Sequence, residues 1–355
     1  MVLRDPQPRL QLVIDDHEAK RVRTALLCTD VDALPKVAGA GDIYERDGVS
    51  LQRMHNGVEI VEGCYGGQWM TEIIRSLRGH HEPQEEAVFD AVVRRLAADT
   101  TNPTMIEFGS FWTYYGMWFA HELPTARVIA MEPDPQNLEI GKRNAAINGL
   151  DDRITFLQGA IGAQPGATFQ FQAESDGRPY EVAQYDLESL MQSTGLEHID
   201  LALVDVQGAE TVLLNRGLGD FAALRVRFMI VSTHHVSISG DPLTHQQALN
   251  LLKSVGAHII AEHSVPESFS GDGLIAVSFD ARDADLTVPI SFARSKDSLF
   301  DEVEYELSAS RNLLADAQRE VNTLRAERDS VFETRLRRWT RPLRETYQRV
   351  RGARG

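Results

Sequence analysis

The sequence contains little cysteine, no long apolar stretch and no excess of positive charge. Its two cysteines, Cys28 and Cys64, are too few for a disulfide framework, and neither lies in a spacing typical of metal ligands. No apolar run approaches the roughly 18 residues of a membrane span, and the N-terminus lacks the apolar core of a signal peptide. We therefore expect a soluble, cytoplasmic protein.

The charge is negative and unevenly distributed, with a formal net value of −16. Residues 334–355 contain eight arginines and one acid, whereas the remaining 333 residues carry 28 basic and 51 acidic side chains. Nucleic-acid binding requires a basic surface that faces phosphate groups. The acidic body therefore argues against a nucleic-acid partner, and the basic end needs a separate explanation.

The middle of the chain alternates short apolar runs with helical patterns, which predicts an α/β fold with a mostly parallel sheet. Pro83, followed by acids, marks a helix that leads into the first strand. Seven strands are expected, at residues 104–108, 127–131, 154–158, 201–205, 228–232, 258–262 and 274–279. Residues 166–172 alternate with period two and predict an additional edge strand or hairpin. We expect a Rossmann-like domain over residues 81–290, preceded by an N-terminal cap region over residues 1–80.

Beyond residue 297 the pattern changes to one long helix. Apolar or small residues recur with 3-4 spacing, which predicts a coiled coil over residues 297–333; they are Phe300, Val303, Leu307, Ser310, Leu314, Ala317, Val321, Leu324, Arg328 and Val331. A single helix that packs on its own domain is the alternative. In the tail, residues 334–355, arginines alternate with aromatic and apolar residues. Such a segment could lie on an anionic membrane surface, or remain solvated.

The loop after the first strand predicts an adenosine ligand without phosphates. Bulky residues at 111 and 112 follow Gly109, where a dinucleotide loop has further glycines for the pyrophosphate. Glu132 ends the next strand, where a carboxylate can accept both ribose hydroxyls. We predict S-adenosylmethionine as the cofactor, with NAD as the alternative. The expected cofactor contacts are Glu107, Gly109, Thr113, Glu132, Pro133, Ala160, Ile161 and Asp205.

Candidate catalytic residues end the middle strands. One histidine, His234 or His235, is the expected base for an acceptor hydroxyl, with Asp205 orienting it or binding substrate; a capping or packing role is the alternative for the histidines. Polar loops further on suggest an acceptor with several hydroxyls, which His263 and Asp272 of these loops would bind together with Glu210; plain connecting loops are the alternative. Asp205, Glu210, His234 and His235 could together hold a divalent metal, but their spacing does not require one. The sequence therefore allows a divalent metal but does not favour one.

Two segments resemble the FkbM-type S-adenosylmethionine-dependent methyltransferases. Residues 199–217, IDLALVDVQGAETVLLNRG, are similar to the signature of that family, and residues 131–150 are similar to its second block. Val204 and Gln207 replace a usual Lys and Glu, and Thr113 replaces a common Gly. The tail around Trp339 and Pro342 resembles tails of bacterial surface-glycan assembly enzymes.

Together these resemblances imply a methyltransferase that acts on a sugar hydroxyl. The acceptor would be a bacterial surface glycan, its lipid-linked precursor or a related glycosylated metabolite. The enzyme would then work in the cytoplasm, where its tail could bring it to the inner face of the cell membrane. It would oligomerise or bind a partner through the coiled coil. An NAD-dependent sugar oxidoreductase and a non-catalytic adaptor are the alternatives.

Overall fold

The structure, a computed structural model, describes residues 16–293 and 302–352. It divides the chain into two compact units, one up to residue 293 and one from residue 294. Phe300, the first residue of the predicted coiled-coil pattern, lies outside the described residues.

The N-terminal region forms a small sheet between two helices. Helix α1 (Asp16–Ala25) precedes the antiparallel strands β1 (Ile43–Arg46), β2 (Val49–Arg53) and β3 (Glu59–Val61), and helix α2 (Gly67–Ser76) follows them. Asn144 and Asn148 of the next domain accept hydrogen bonds from the backbone N–H groups of Val61 and Glu59, at 3.0 and 2.9 Å. The predicted cap region is therefore fastened directly to the domain that follows it.

The central domain is built on a seven-stranded sheet. Its strands are β4 (Thr104–Phe108), β5 (Arg127–Glu132), β6 (Ile154–Gln158), β10 (Ile199–Val204), β11 (Val226–Thr233), β12 (His258–His263) and β13 (Gly273–Ser278). They lie in the order β12-β13-β11-β10-β4-β5-β6, and only the β11–β13 and β12–β13 pairs are antiparallel. The predicted seven-stranded, mostly parallel sheet is confirmed.

A short three-stranded sheet is inserted after β6. It contains β7 (Ala160–Ile161), β8 (Thr168–Gln172) and β9 (Pro179–Tyr185), in the order β7-β9-β8. Strand β8 confirms the prediction made for residues 166–172. The β8–β9 pair is an antiparallel hairpin, and its turn lies between Gln172 and Pro179.

Helices cover both faces of the large sheet. They are α3 (Pro83–Asp99), α4 (Tyr114–Glu122), α5 (Pro135–Ile147), α6 (Leu187–Thr194), α7 (Glu210–Ala222), α8 (Val236–Ser239) and α9 (Thr244–Ser254). Within β10, Leu201 and Leu203 pack in the apolar cluster with α3 and α4, whereas Ala202 and Val204 pack in the cluster with α6, α7 and α9. Successive side chains of a strand point to opposite faces, and both faces of this sheet are covered, so every position from Leu201 to Val204 is apolar and buried.

The described residues of the C-terminal unit, 302–352, form the 51-residue helix α10 (Glu302–Gly352). It continues through the residues that we expected to be a separate tail, and Pro342 lies inside it. Among the described residues, no helix combines the length and the apolar character that crossing a membrane requires.

Candidate functional site

A cavity of about 470 Å³ opens at the carboxyl ends of β4, β5 and β10. In an open α/β sheet, ligands bind at this edge, where the strand order reverses. Its walls include the cofactor contacts expected at Gly109, Glu132, Pro133, Ala160, Ile161 and Asp205. Strands far apart in the sequence therefore bring most of the predicted cofactor residues to one cavity.

Gly109 allows two strand ends to meet beneath the cavity. Its φ is +77°, and a Cβ atom there would lie 1.7 Å from the carbonyl oxygen of Asp205. Its N–H donates to the carbonyl of Met131 at 2.9 Å, which ties the loop to β5. Any side chain at this position would push β4 away from β10.

Glu132 is a buried carboxylate in the wall of the cavity. Its Oε2 accepts a hydrogen bond from the N–H of Phe111 and its Oε1 from the N–H of Asp134, both at 3.0 Å. Burial raises its pKa to about 7, although these two bonds act in the opposite direction. Each oxygen retains a further lone-pair direction, so the carboxylate can accept from a pair of ligand hydroxyls.

The β8–β9 hairpin supplies an aromatic part of the wall that the sequence analysis did not assign. Phe169 and Phe171 of β8 line the cavity together with Glu174. Ser175 fixes the hairpin turn, because its N–H and its hydroxyl donate to the Asp134 carboxylate at 3.0 and 2.7 Å. The signal was present in the alternation of residues 166–172, which places both phenylalanines on one face of the strand.

His234 lies between two carboxylates. Its Nε2 is 3.0 Å from Asp205 Oδ1, and its Nδ1 is 2.7 Å from Glu210 Oε1. Burial lowers the pKa of this histidine, but the hydrogen bonds to Asp205 and Glu210 outweigh burial and raise it to about 11. The ring is therefore an imidazolium at neutral pH, and the expected role of His234 as a general base does not fit its surroundings.

His235 does not line the cavity either. Its side chain is exposed, and the residue caps α8. Its Nδ1 accepts from the N–H of Ser237 at 3.2 Å. The structure thus places it in the capping role, which was the alternative to catalysis.

Two expected cofactor residues are packed beneath the cavity and do not line it. Glu107 is buried and accepts from the N–H of Gly116 at 3.2 Å, and burial raises its pKa well above the usual range. Thr113 is buried at the residue before α4, with φ +61°. Both residues shape the turn that carries Gly109, so their contribution to ligand binding is indirect.

Two expected substrate residues are buried as well. The Glu210 carboxylate accepts from the N–H of Gly208 at 3.0 Å and pairs with His234, which leaves it fully covered. The His263 side chain is buried, and its Nδ1 lies 3.1 Å from the carbonyl oxygen of Ser264. Neither residue lines the cavity, so direct contact with an acceptor is not supported for them.

Asp272 does not line the cavity either, but it lies beside the His234 ring, which contacts Asp205 in the cavity wall. Its side chain is 28% exposed, and its Oδ1 is 3.8 Å from His234 Nε2. Burial raises the pKa of Asp272 to about 7; His234 opposes this shift and the charge of Asp205 adds to it. A carboxylate with this pKa can take a proton near neutral pH.

The start of α3 adds further acids that the sequence analysis used only as a helix signal. Glu85 accepts from the hydroxyl of Ser232 at 2.7 Å, and Glu82 accepts from the hydroxyl of Tyr115 at 3.2 Å. Burial raises the pKa of Glu85 well above its usual range, and the charges of Glu82 and Asp205 add to the shift. Helix α3 therefore contributes to the acidic surroundings of Asp205.

These residues do not form the metal site that was considered. His234 uses opposite ring nitrogens for Asp205 and Glu210, so the three cannot surround one ion. Within residues 16–293 and 302–352, the group with ligand atoms close enough for an ion is His55, His80 and Glu86, which is buried below α4. There the Glu86 carboxylate already pairs with His80 and accepts from the N–H of His81 at 2.8 Å.

Sheet order and site together define the class of the protein. The fold is that of Rossmann-like methyltransferases. Its seven-stranded sheet has one antiparallel strand beside the edge, its loop after β4 has a single glycine, and a carboxylate lies at the end of β5. Residues 98–259, just under half of the chain, match the family model described as Methyltransferase FkbM domain. This match and the sheet order support a methyltransferase domain in this part of the chain.

The chain is also similar to individual proteins, to one in sequence and to two in their solved structures. The chain is 30% identical over 80 residues to a release factor glutamine methyltransferase of Chlorobaculum tepidum, which covers 21% of this chain and 27% of that protein. The N-terminal domain of human METTL16 in complex with SAH is 16% identical, with a TM-score of 0.36, over 56% of this chain and 71% of that one. Precorrin-6y C5,15-methyltransferase of Geobacter metallireducens is 11% identical, with a TM-score of 0.34, over 54% and 86%.

Proposed function

We propose that this protein is an S-adenosylmethionine-dependent O-methyltransferase whose acceptor is a sugar hydroxyl of a bacterial surface glycan or a related glycosylated metabolite. The observation that carries the proposal is the cavity of about 470 Å³ with the Glu132 and Asp205 carboxylates in its wall. When bound, S-adenosylmethionine supplies a methyl group already activated on a sulfonium. The protein must then hold the donor and prepare the acceptor oxygen.

The residues present fit this donor. The Glu132 carboxylate would accept the two ribose hydroxyls, and Phe169, Phe171 and Ile161 offer apolar surface for the adenine. The loop after β4 has Gly109 followed by Phe111 and Trp112, where a loop that binds a pyrophosphate has further glycines. This favours a phosphate-free ligand over NAD.

We assign the role of base for an acceptor hydroxyl to Asp272, which is partly exposed and lies 3.8 Å from the His234 ring that contacts Asp205. The alcohol must lose its proton as its oxygen gains the methyl carbon, and the carboxylate can receive that proton. The positive charge of the His234 imidazolium lies next to the Asp272 and Asp205 carboxylates and offsets their negative charges. Carboxylates are also effective acceptors for neighbouring sugar hydroxyls, which favours a polyol acceptor.

The membrane proposal concerns the end of α10. Trp339, Leu343 and Tyr347 recur every four residues and are 82%, 69% and 68% exposed. Arg338 and Arg341, also exposed, flank them. An apolar stripe between arginines can rest on an anionic leaflet, which would bring the enzyme to a lipid-linked acceptor.

The reaction and the acceptor are tested together by isotope transfer. The purified full chain is incubated with S-adenosylmethionine carrying a ¹³C-methyl group and with surface polysaccharide from cells that lack the protein. We expect a new ¹³C methyl-ether signal on one sugar, absent with Glu132→Gln and retained with Glu139→Gln, an exposed residue of α5. Label on nitrogen or carbon, or no label in any glycan fraction, would contradict the proposed acceptor.

A further inference from the structure

Helix α10 carries an apolar stripe that is exposed in this chain. Leu307, Leu314 and Val321 occupy every seventh position and are 47%, 69% and 39% exposed. Leu324 lies three residues after Val321, and Val331 lies three residues after Arg328; they are 56% and 53% exposed. In heptad notation the first set is a and the second is d, which is the pattern of a coiled-coil seam. An amphipathic helix is stabilised when such a stripe is covered.

The charges beside the stripe indicate what covers it. Two of the g positions, which lie just before an a position, hold Glu320 and Glu327, and the g position before Leu314 holds Leu313. Two of the e positions, which lie just after a d position, hold Arg311 and Arg325, and the e position between them holds Gln318. The four charged residues are exposed. In a parallel pair of helices, g of one helix faces e of the other, so that acids meet bases. In an antiparallel pair, g faces g and e faces e, so that like charges meet.

We propose that α10 forms a parallel, in-register, two-stranded coiled coil with a second copy of this chain. Glu320 of one copy would face Arg325 of the other, five residues further on, and symmetry repeats the contact. Arg328 occupies an a position, and a polar residue at a single a position fixes register and strand number. The segment from Leu307 to Val331 spans about 37 Å at the α-helical rise, more than three heptads.

The consequence lies at the end of the same helix. A parallel pair brings both copies of the Trp339, Leu343 and Tyr347 stripe to one end of the rod. Two weak membrane contacts that act together bind far more tightly than either one alone. An antiparallel pair would place the two stripes at opposite ends.

The oligomeric state of the full chain is the first test. We expect sedimentation equilibrium to give twice the mass of one chain. Leu314→Lys, on the seam, should give monomers, whereas Asn312→Lys, two residues away at an outer f position, should leave the dimer intact. Binding of S-adenosylmethionine shows in each case that the catalytic unit is folded. A monomeric wild-type chain at micromolar concentration, or a dimer unaffected by Leu314→Lys, overturns the proposal.

Orientation and pairing are tested separately. One sample carries a nitroxide label on Asn312→Cys and another on Ala326→Cys, and labelled wild-type chain is the control. In each homodimer the two labels, one on each copy, should lie close together. An antiparallel pair can bring only one of these positions close, since they lie about 21 Å apart along the helix.

Glu320→Arg and Arg325→Glu should each weaken the dimer about tenfold, and the double variant should restore it. Failure of the double variant to recover would refute the predicted contact.

Discussion

Asp272 illustrates how a single residue acquires a role from its surroundings. The carboxyl group follows a glycine-rich loop, and nothing in its local sequence separates it from the other loop acids. Burial and the nearby Asp205 raise its pKa to about 7, while His234 opposes the shift. Such a group is ionised above this pH and can then accept a proton.

We predict that Asp272→Asn lowers kcat about 100-fold to 1,000-fold and leaves donor affinity unchanged. Because the raised pKa keeps the acid protonated at low pH, the rate of the wild-type enzyme should rise with pH and level off above about 7. Steady-state kinetics between pH 5.5 and 9 measures both effects. Asp151→Asn, at an exposed position in the turn before β6, serves as the control. A flat pH profile, or full activity of Asp272→Asn, would remove Asp272 from the reaction.

The sequence predicts residues at strand ends better than it predicts their charge states. Gly109 and Glu132 were assigned because carboxyl ends of parallel strands meet at one edge of a sheet, and both line the cavity. The proton on His234 depends on Asp205 and Glu210, and Glu210 reaches the histidine only because α7 begins at that residue. Such pair contacts between separate elements leave no local pattern, so the sequence could not indicate the raised pKa of His234 that argues against its role as a base.

At the scale of elements, the β8–β9 hairpin converts an open sheet edge into a deeper cavity. Alternation in β8 turns Phe169 and Phe171 toward the cavity wall and leaves Gln170 and Gln172 exposed. The serine contacts with Asp134 connect the hairpin turn to the loop that carries Glu132. The period-two pattern predicted the strand, but its position over the cavity depends on pairing with β9 and on these contacts.

We expect Phe171→Ala to weaken S-adenosylmethionine binding about tenfold, because the apolar area that an aromatic ring covers contributes about 1.5–3 kcal/mol. Gln170→Ala, one residue away on the opposite face of the strand, should leave binding unchanged. Isothermal titration calorimetry of both variants measures the difference. Equal affinities for the two variants would mean that the hairpin does not contact the donor.

At the scale of the whole molecule, the sequence predicted two parts of different character, an acidic α/β domain and a helix with a basic end. The boundary lies near residue 294 in the structure, close to the composition change seen near residue 297. The N-terminal region could not be assigned from sequence, because its strands are short and its packing depends on Asn144 and Asn148 of α5.

The basic end of α10 should bind anionic vesicles and not neutral ones. Binding should weaken as salt is raised, because screening reduces the attraction between arginines and lipid headgroups. Trp339→Ser should lower vesicle binding about tenfold, and Leu27→Ser, an equally accessible position in the catalytic unit, should not. Co-sedimentation with vesicles of defined composition provides the measurement. Equal binding to neutral vesicles would argue against the electrostatic contact.

The most direct test of the whole account is the affinity of the purified chain for S-adenosylmethionine, measured by isothermal titration calorimetry beside NAD. We predict that the wild-type chain binds S-adenosylmethionine at one site and does not bind NAD. Glu132→Gln should bind S-adenosylmethionine about 100-fold more weakly, and Glu139→Gln should bind it as the wild type does. If the chain bound NAD in its place, or if the wild-type chain and Glu132→Gln had equal affinity, the Glu132 carboxylate would not hold the ribose of a phosphate-free adenosine donor.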